Sequence, residues 1–323
     1  MSLGKMGNIS QHGELVSGRD SAAEVETGGI LVLDKPAGFT SAKAAARIKK
    51  LLSQNKIGHT GTLDPFATGV LVLCLNDATR AADQITNLDK VYHSTLRFGI
   101  ETDTLDWTGQ VVRQSDEIFS EKDLIEVLRT FEGTCMQTVP RFSAVRVEGR
   151  RLYELSRKGI EVERPEREIC IHSIALQHFR WPEAVIEVCC SKGTYIRQLA
   201  SDVGHKLGSG AHLAALRRTS VGPFTLERAI RMDEEISAAS VAAGIIPLND
   251  ALSHLPAALM SEQWLLSRLR NGQLDPEWEK KQREYFCART DAVRIVTGTN
   301  RLAALWWPNS AHGGSRRLRV FPF

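Results

Sequence analysis

Two apolar runs organise the first quarter of the chain. Residues 30–33, ILVL, and 70–75, VLVLCL, are too continuous for a half-exposed strand and far too short for a membrane span. Both predict short buried strands, the first broken at Lys35-Pro36-Ala37-Gly38. Between them, Ala45, Ile48 and Leu52 recur at helical spacing, predicting a helix capped by Thr40 or Ser41 and running to about Gln54. Lys43, Arg47 and Lys50 make a basic stripe on another face. VYHSTLRFGI (91–100) alternates as a strand does, and EKDLIEVLRTF (121–131) predicts a helix. FSAVRVEG (142–149), REICIHSIALQHF (167–179) and AVIEVCC (184–190) predict strands rich in β-branched residues. GTYIRQLASDVGHKLG (193–208) reads as a helix and LAALRRTSVGPF (213–224) as a strand. Helices and strands mix without a regular βαβ repeat, so the predicted class is α+β around a mainly antiparallel central sheet.

The ends of the chain behave differently. Residues 1–28 are polar and aperiodic and predict a disordered extension. Residues 29–255 form the main domain, and a small C-terminal module follows over 256–323. In that module SEQWLLSRLRNG predicts a helix, and AVRIVTG, RLAALWW and RLRVFPF short strands.

Charge adds a partner to this picture. The net charge of the 323 residues is only +3, but residues 41–56 carry five basic side chains and no acid. Residues 141–167 hold eight arginines or lysines against five glutamates, and Arg316, Arg317 and Arg319 close the chain, while 101–126 is acid-rich. A surface polarised in this way suits a polyanion, although solvated helix faces would give the same counts. The N-terminus has no apolar stretch typical of a secretion signal, and the six cysteines include no CxxC pair. Reduced core thiols and a cytoplasmic location are expected. No HExxH, zinc-spaced Cys/His set, phosphate-binding glycine loop or dinucleotide fingerprint occurs, so no metal or cofactor is expected.

Chemistry must then come from ordinary side chains, and GHTGTLDPFATGVL (58–71) is where it concentrates. Pro65 pushes Asp64 toward an extended backbone, and Gly58, Gly61 and Gly69 let the loop turn tightly. By pattern alone, an acid among Thr and Gly is more often a turn former than a nucleophile.

The stretch closely resembles the catalytic loop of the TruB family, the tRNA pseudouridine-55 synthases. LDKPAGFTS (33–41), KVYHSTLRFGIETDT (90–104), CSKGTYIRQL (190–199) and GAHLAALRRTSVG (210–222) follow in the family's order, with VPRFSAVRVEGRRLYELSRKGIEVE (139–163) linking them. The likeness covers about residues 29–230. It implies the pseudouridine synthase fold, isomerisation of uridine 55 in the T arm of tRNA by base flipping, and action without cofactor or protein partner, as a monomer. The related guide-RNA-dependent enzymes share the LDP core, but the GHTGTLDPFATG form and short C-terminal module favour the stand-alone bacterial type. Residues 256–323 resemble a PUA-like RNA-binding module.

The resemblance also assigns roles. Asp64 matches the essential aspartate, and Arg197 the arginine paired with it; an adjacent cation favours an ionised carboxylate. Tyr92 matches the tyrosine that stacks on the target base, Tyr195 and Leu216 match the pocket lining, and His59 matches the residue that fills the space left by the flipped base. Lys35 supports the site electrostatically or is a strand-ending surface lysine. Without the family, Arg197 reads as an exposed helix residue, Tyr92, Tyr195 and Leu216 as core, and His59 as a turn residue. Two other functions fit the scaffold. One is an idle RNA-binding or tRNA-folding protein, which need not keep Asp64, Tyr92 and Arg197 together. The other is a glycosidase-like hydrolase, for which no second carboxylate is evident.

Overall fold

The computed structural model describes residues 28–147, 149–286, 292–308 and 318–323. Its centre is an eleven-stranded sheet. In chain order its main strands are β1 (Gly29–Lys35), β2 (Ile57–His59), β3 (Thr68–Leu75), β4 (Lys90–Phe98), β5 (Gly133–Thr138), β6 (Glu166–Arg180), β7 (Glu183–Cys190), β8 (Ala211–Val221) and β9 (Ile230–Arg231). They lie in the order β9-β1-β3-β8-β4-β7-β6-β5, with β2 alongside β3. The β1–β9 and β3–β8 pairs are parallel and the other main pairs antiparallel, the mainly antiparallel α+β sheet expected from the sequence.

β1 and β3 are continuous apolar runs because both faces of the sheet are covered there. Leu31, Leu33, Leu71 and Leu73 enter one core, which includes Ala44, Ala45 and Ile48 of helix α1 (Ser41–Leu51). Ile30, Val32, Val70 and Val72 enter a second core on the opposite face. β4 has one exposed edge to its alternation: Lys90, Tyr92, Ser94, Leu96 and Phe98 are buried while His93 and Arg97 are exposed. Between β3 and β8 the backbones meet at Gly69, whose φ is +102° and where a Cβ would lie 2.1 Å from the Arg218 carbonyl oxygen. Only glycine fits that conformation and that approach.

Local signals account for several helix starts. Thr40 caps α1, accepting from the Lys43 amide, and the helix stops at Leu51 rather than at Gln54. α2 (Glu121–Arg129) starts with a capping box between Ser120 and Asp123, and α3 (Ile196–Lys206) follows β7. The predicted strand over 142–149 shrinks to Arg146–Val147, paired with Arg150–Arg151. The carbonyls just before it face elsewhere: Ser143 accepts from the Tyr153 amide and Phe142 from Arg197.

The C-terminal residues form their own four-stranded sheet of Ala257–Met260, Val293–Thr297, Leu302–Trp306 and Leu318–Val320. The helix Gln263–Arg270 was expected; Pro276–Tyr285, capped by Asp275, was not. The expected disorder of 1–28 falls, but for Gly28, outside the described residues, as do Arg316 and Arg317. None of the described helices is long and apolar enough to cross a membrane.

The second core runs across the expected domain boundary, joining Ile30, Val32, Val70 and Val72 to Ala292, Leu302, Leu305 and Phe321. Asp83 also pairs with Arg319 at 2.7 Å. Burying Leu302, Leu305 and Phe321 at about 1.5–3 kcal/mol each gives roughly 5–9 kcal/mol, comparable with the whole stability of a typical domain. Deleting 256–323 should therefore give insoluble protein or a much lower unfolding temperature. Soluble yield and thermal unfolding of the truncation check this, and a soluble product with the parental midpoint would contradict it.

Candidate active site

The Asp64 loop is fixed from several directions. Ser41 Oγ accepts from the Leu63 amide at 2.8 Å and donates to the Leu63 carbonyl at 3.1 Å, so α1 holds the residue before Asp64. The Pro65 carbonyl accepts from the Gly38 amide at 2.8 Å and from Lys35 Nζ at 3.4 Å. Thr60 N donates to Val72 O, tying the loop's start to β3. Asp64 therefore sits on a loop whose backbone is anchored on both sides of it.

Its carboxylate meets Arg197 from the first turn of α3. Arg197 Nε donates to Asp64 Oδ2 at 2.9 Å and Nη2 to Oδ1 at 3.3 Å, a two-point contact that fixes the carboxylate's orientation. The same guanidinium donates to the carbonyls of Thr104 at 2.8 Å and Phe142 at 2.9 Å, and Asp106 Oδ2 lies 3.8 Å from its Nε. Asp106 is buried and takes bonds from Thr104 Oγ1, Thr108 N and Thr108 Oγ1. Arg197 is 5% exposed and Asp64 32%, so the arginine is sealed beneath while the carboxylate faces the open side.

That side is a cavity of about 290 Å³ whose walls include Asp64, Tyr92, Tyr195, Arg197 and Leu216. Tyr92 projects inward from β4, and burial raises the pKa of its hydroxyl while the nearby Arg218 opposes the rise. Tyr195 is held by its backbone: Gln137 Oε1 accepts from Tyr195 N at 2.8 Å and Gln137 Nε2 donates to Tyr195 O at 3.0 Å. Arg167 lies 5.5 Å from the centre of its ring. Among the described residues Asp64 is the sole carboxylate on the cavity wall, and no three His, Cys, Asp or Glu side chains are arranged to hold a metal. A fixed carboxylate beside a buried tyrosine can act on a flat ring drawn into the cavity.

Comparison with known proteins places this geometry. Residues 49–196 match the model of the TruB family pseudouridylate synthase N-terminal domain, and 197–253 match the tRNA pseudouridylate synthase B C-terminal domain. A tRNA pseudouridine synthase B from Syntrophobacter fumaroxidans is 55% identical over 302 residues, covering 92% of this chain and 99% of the relative. The chain belongs to the TruB family of pseudouridylate synthases. A second relative of the same name, from Geobacter sulfurreducens, is 44% identical over 305 residues, covering 91% of this chain and 99% of its own. Among solved structures, a chain of a Cbf5-Nop10-Gar1 complex superposes with a TM-score of 0.68 at 26% identity, over 94% of this chain and 87% of that one. Pseudouridine synthases are isomerases, and this TruB-family enzyme shares their fold.

The enzyme brings five of the seven residues singled out from sequence to one cavity. The other two stand apart. His59, on β2, is off the cavity wall; burial and the Arg218 charge hold its pKa below the usual imidazole value, and its buried Nδ1 has no hydrogen-bond partner among the described residues. Lys35 is not the surface lysine its position at a strand end allows. It is fully buried and donates to the carbonyls of Pro36, Phe39 and Pro65. Sequence reasoning missed Asp106, Gln137, Lys90 and Arg218. Asp106 had a signal in TDTLDWT, where threonines flank an acid at hydrogen-bonding spacing. The others are known only from their long-range contacts.

Burial pulls the pKa of Lys35 down to about 8, against the attraction of Asp64. Below that value the side chain is charged in folded and unfolded chains alike, and above the ordinary lysine value of 10.5 it is neutral in both. Between them only the unfolded chain keeps the proton, so this group's contribution to stability rises with pH across that window. Its grip on Pro65 weakens over the same range, because an amine has two N–H donors for three carbonyls. Lys35→Met should lower turnover by about tenfold to a hundredfold at neutral pH if the Asp64 loop it braces carries the chemistry, since displacing a reacting group is costly. The parent should approach the variant above about pH 8. Lys90, also brought to about 8 by burial, titrates in the same range, so paired pH–rate profiles of parent and Lys35→Met separate the two. Parental turnover in the variant would remove the bracing role.

Proposed function

We propose that the enzyme converts uridine 55 in the T arm of tRNA to pseudouridine, with Asp64, Tyr92 and Arg197 as its catalytic set. The observation that carries the proposal is the Asp64 carboxylate, held at two points by Arg197 and facing a cavity that Tyr92 lines. In the reaction the bond from ribose C1′ to uracil N1 breaks, the uracil turns, C1′ bonds to C5, the C5 proton leaves and N1 takes up a proton. Nothing is oxidised or reduced and no atom is added, so ordinary side chains suffice.

The target base has to leave its stack, at a cost of a few kcal/mol. Stacking on an aromatic ring is worth about 1–3 kcal/mol per base, so Tyr92 offsets much of it. Tyr195 and Leu216 complete the pocket, Lys35 braces the loop from behind, and His59 contacts the RNA from β2 outside the pocket. A hydrolase of the glycosidase type would need a second carboxylate facing the same space. Asp106 is buried and faces Arg197 instead.

The exposed basic residues of α1, among them Lys43 and Lys50, take part in holding the tRNA backbone. In this reading residues 29–255 carry the chemistry and 256–323 touch tRNA beyond the T arm. Arg319 is already paired with Asp83 and Arg270 lies over the Phe323 ring, so the module's phosphate contacts fall mainly to other side chains. The enzyme works as a monomer on tRNA in the cytoplasm and requires neither protein partner nor cofactor.

Asp64→Asn should abolish pseudouridine formation while tRNA binding stays within a few-fold of the parent, because an amide has neither the charge nor the basicity required. Tritium release from C5-labelled uridine, with filter binding alongside, measures both. A tRNA with cytidine at position 55 should yield no product, and pseudouridine appearing elsewhere would relocate the target. If Tyr92 acts by stacking, Tyr92→Phe keeps the single-turnover rate on a T-arm stem-loop and Tyr92→Leu loses it; if the hydroxyl moves a proton, both fail.

A further inference from the structure

Arg218 is the largest charged side chain buried in the sheet, 2% exposed, and the chemistry outlined above does not use it. It lies on β8, opposite Gly69 of β3 on one side and Tyr92 of β4 on the other. Its Nε donates to the Val70 carbonyl at 2.7 Å and its Nη2 to the Gly61 carbonyl at 3.1 Å. A Cβ at Gly61 would come within 3.3 Å of Nη1, so the guanidinium packs directly against the Asp64 loop. It is also part of the cavity wall, as is Tyr92, its register partner on β4. Both backbone acceptors are uncharged, and among the described residues it forms no ion pair.

A buried guanidinium without a carboxylate partner is expensive to desolvate, and hydrophobic side chains of similar volume commonly fill such sites at no loss of stability. Folding alone gives no reason to place one here. Its contacts do: one ties down β3 and one the loop that carries Asp64, while its place in the sheet sets it directly opposite Tyr92. Only a planar fork with several donors reaches both carbonyls in fixed geometry, because a lysine ammonium is a point charge on a flexible stem.

We infer that Arg218 is a positioning residue of the active site, fixing the distance between the Asp64 loop and Tyr92 by holding that loop to β3 from its place beside Tyr92. Gly69 supports it, since the close approach of β3 to β8 brings the Val70 carbonyl within reach of its Nε. The inference rests on the proposed roles of Asp64 and Tyr92.

The test uses the full-length enzyme with Arg218→Ala and Arg218→Lys, assayed in single turnover at saturating tRNA with and without added guanidinium chloride, and with sodium chloride at matched ionic strength. Displacement of a catalytic group by about 1 Å is enough to cost about a hundredfold, so Arg218→Ala should lose about that factor in the saturated rate while tRNA affinity changes only a few-fold. Guanidinium should restore much of the loss by entering the vacated space beside the cavity, and sodium should not. Arg218→Lys should recover only a minor part, since it keeps the charge but not the fork. A rate within about twofold of the parent for Arg218→Ala would overturn the inference. So would a loss that guanidinium leaves unchanged, or one that Arg218→Lys repairs fully, since the first points to general damage and the second to charge alone. If Arg218→Ala proves insoluble, Arg218→Lys decides: its full parental rate overturns the inference, and a loss in saturated rate at unchanged affinity and unfolding temperature supports it. Failure of the parent enzyme to form pseudouridine would instead overturn the functional proposal.

Discussion

Arg197 gathers the site. From the first turn of one helix it makes four hydrogen bonds, to both oxygens of Asp64 and to the carbonyls of Thr104 and Phe142, and these partners lie 133, 93 and 55 residues away in the chain. A guanidinium buried to 5% exposure cannot leave its donors unmet without a large desolvation penalty, so the three segments have to converge for the fold to be stable. The Asp64 loop, the turn before Asp106 and the segment around Phe142 are thus located by one side chain. Rigidity of the carboxylate follows from this convergence rather than from the loop itself.

The sheet supplies the frame in which such precision is possible. β1 and β3 are buried on both faces, so the strand behind Asp64 has neither a solvent edge nor freedom to slide; a one-residue slip would exchange the leucines of one core for the valines of the other. β8 lies between β3 and β4 and so touches the element bearing Asp64 and the one bearing Tyr92. The same doubly covered strands explain why the C-terminal module is continuous with the rest: one of the two cores needs Leu302, Leu305 and Phe321 to close it.

Much of this was legible in the chain. ILVL and VLVLCL announced themselves by unbroken hydrophobicity, α1 by its cap and spacing, and Asp64 by its proline, glycines and family likeness. What escaped was long-range. Nothing local to FSAVRVEG reveals that its early carbonyls are claimed by Arg197 and Tyr153 N instead of a neighbouring strand. Lys35 has the local pattern of a surface residue, and only the return of the chain at Pro65 buries it. Gln137 clamps Tyr195 across 58 residues, a separation that periodicity cannot register. Asp106 stands in the acid-rich stretch 101–126 with nothing local to single it out but its threonine neighbours, which turn it inward toward Arg197.

Apart from Arg197, the buried lysines and arginines share a pattern that bears on the chemistry. Lys35, Lys90 and Arg218 all take backbone carbonyls as partners instead of carboxylates. Carbonyls satisfy their donors without cancelling their charge. A carboxylate introduced near any of them would repel Asp64, compete for Arg197, and meet the phosphates of an incoming RNA with like charge. Leaving Asp64 as the lone acid on the cavity wall among the described residues keeps the surroundings positive for a polyanion while reserving one negative group for the reacting nucleotide. Asp106 fits the same logic because it is enclosed: its charge acts on the far side of Arg197, where it steadies the guanidinium without facing the substrate.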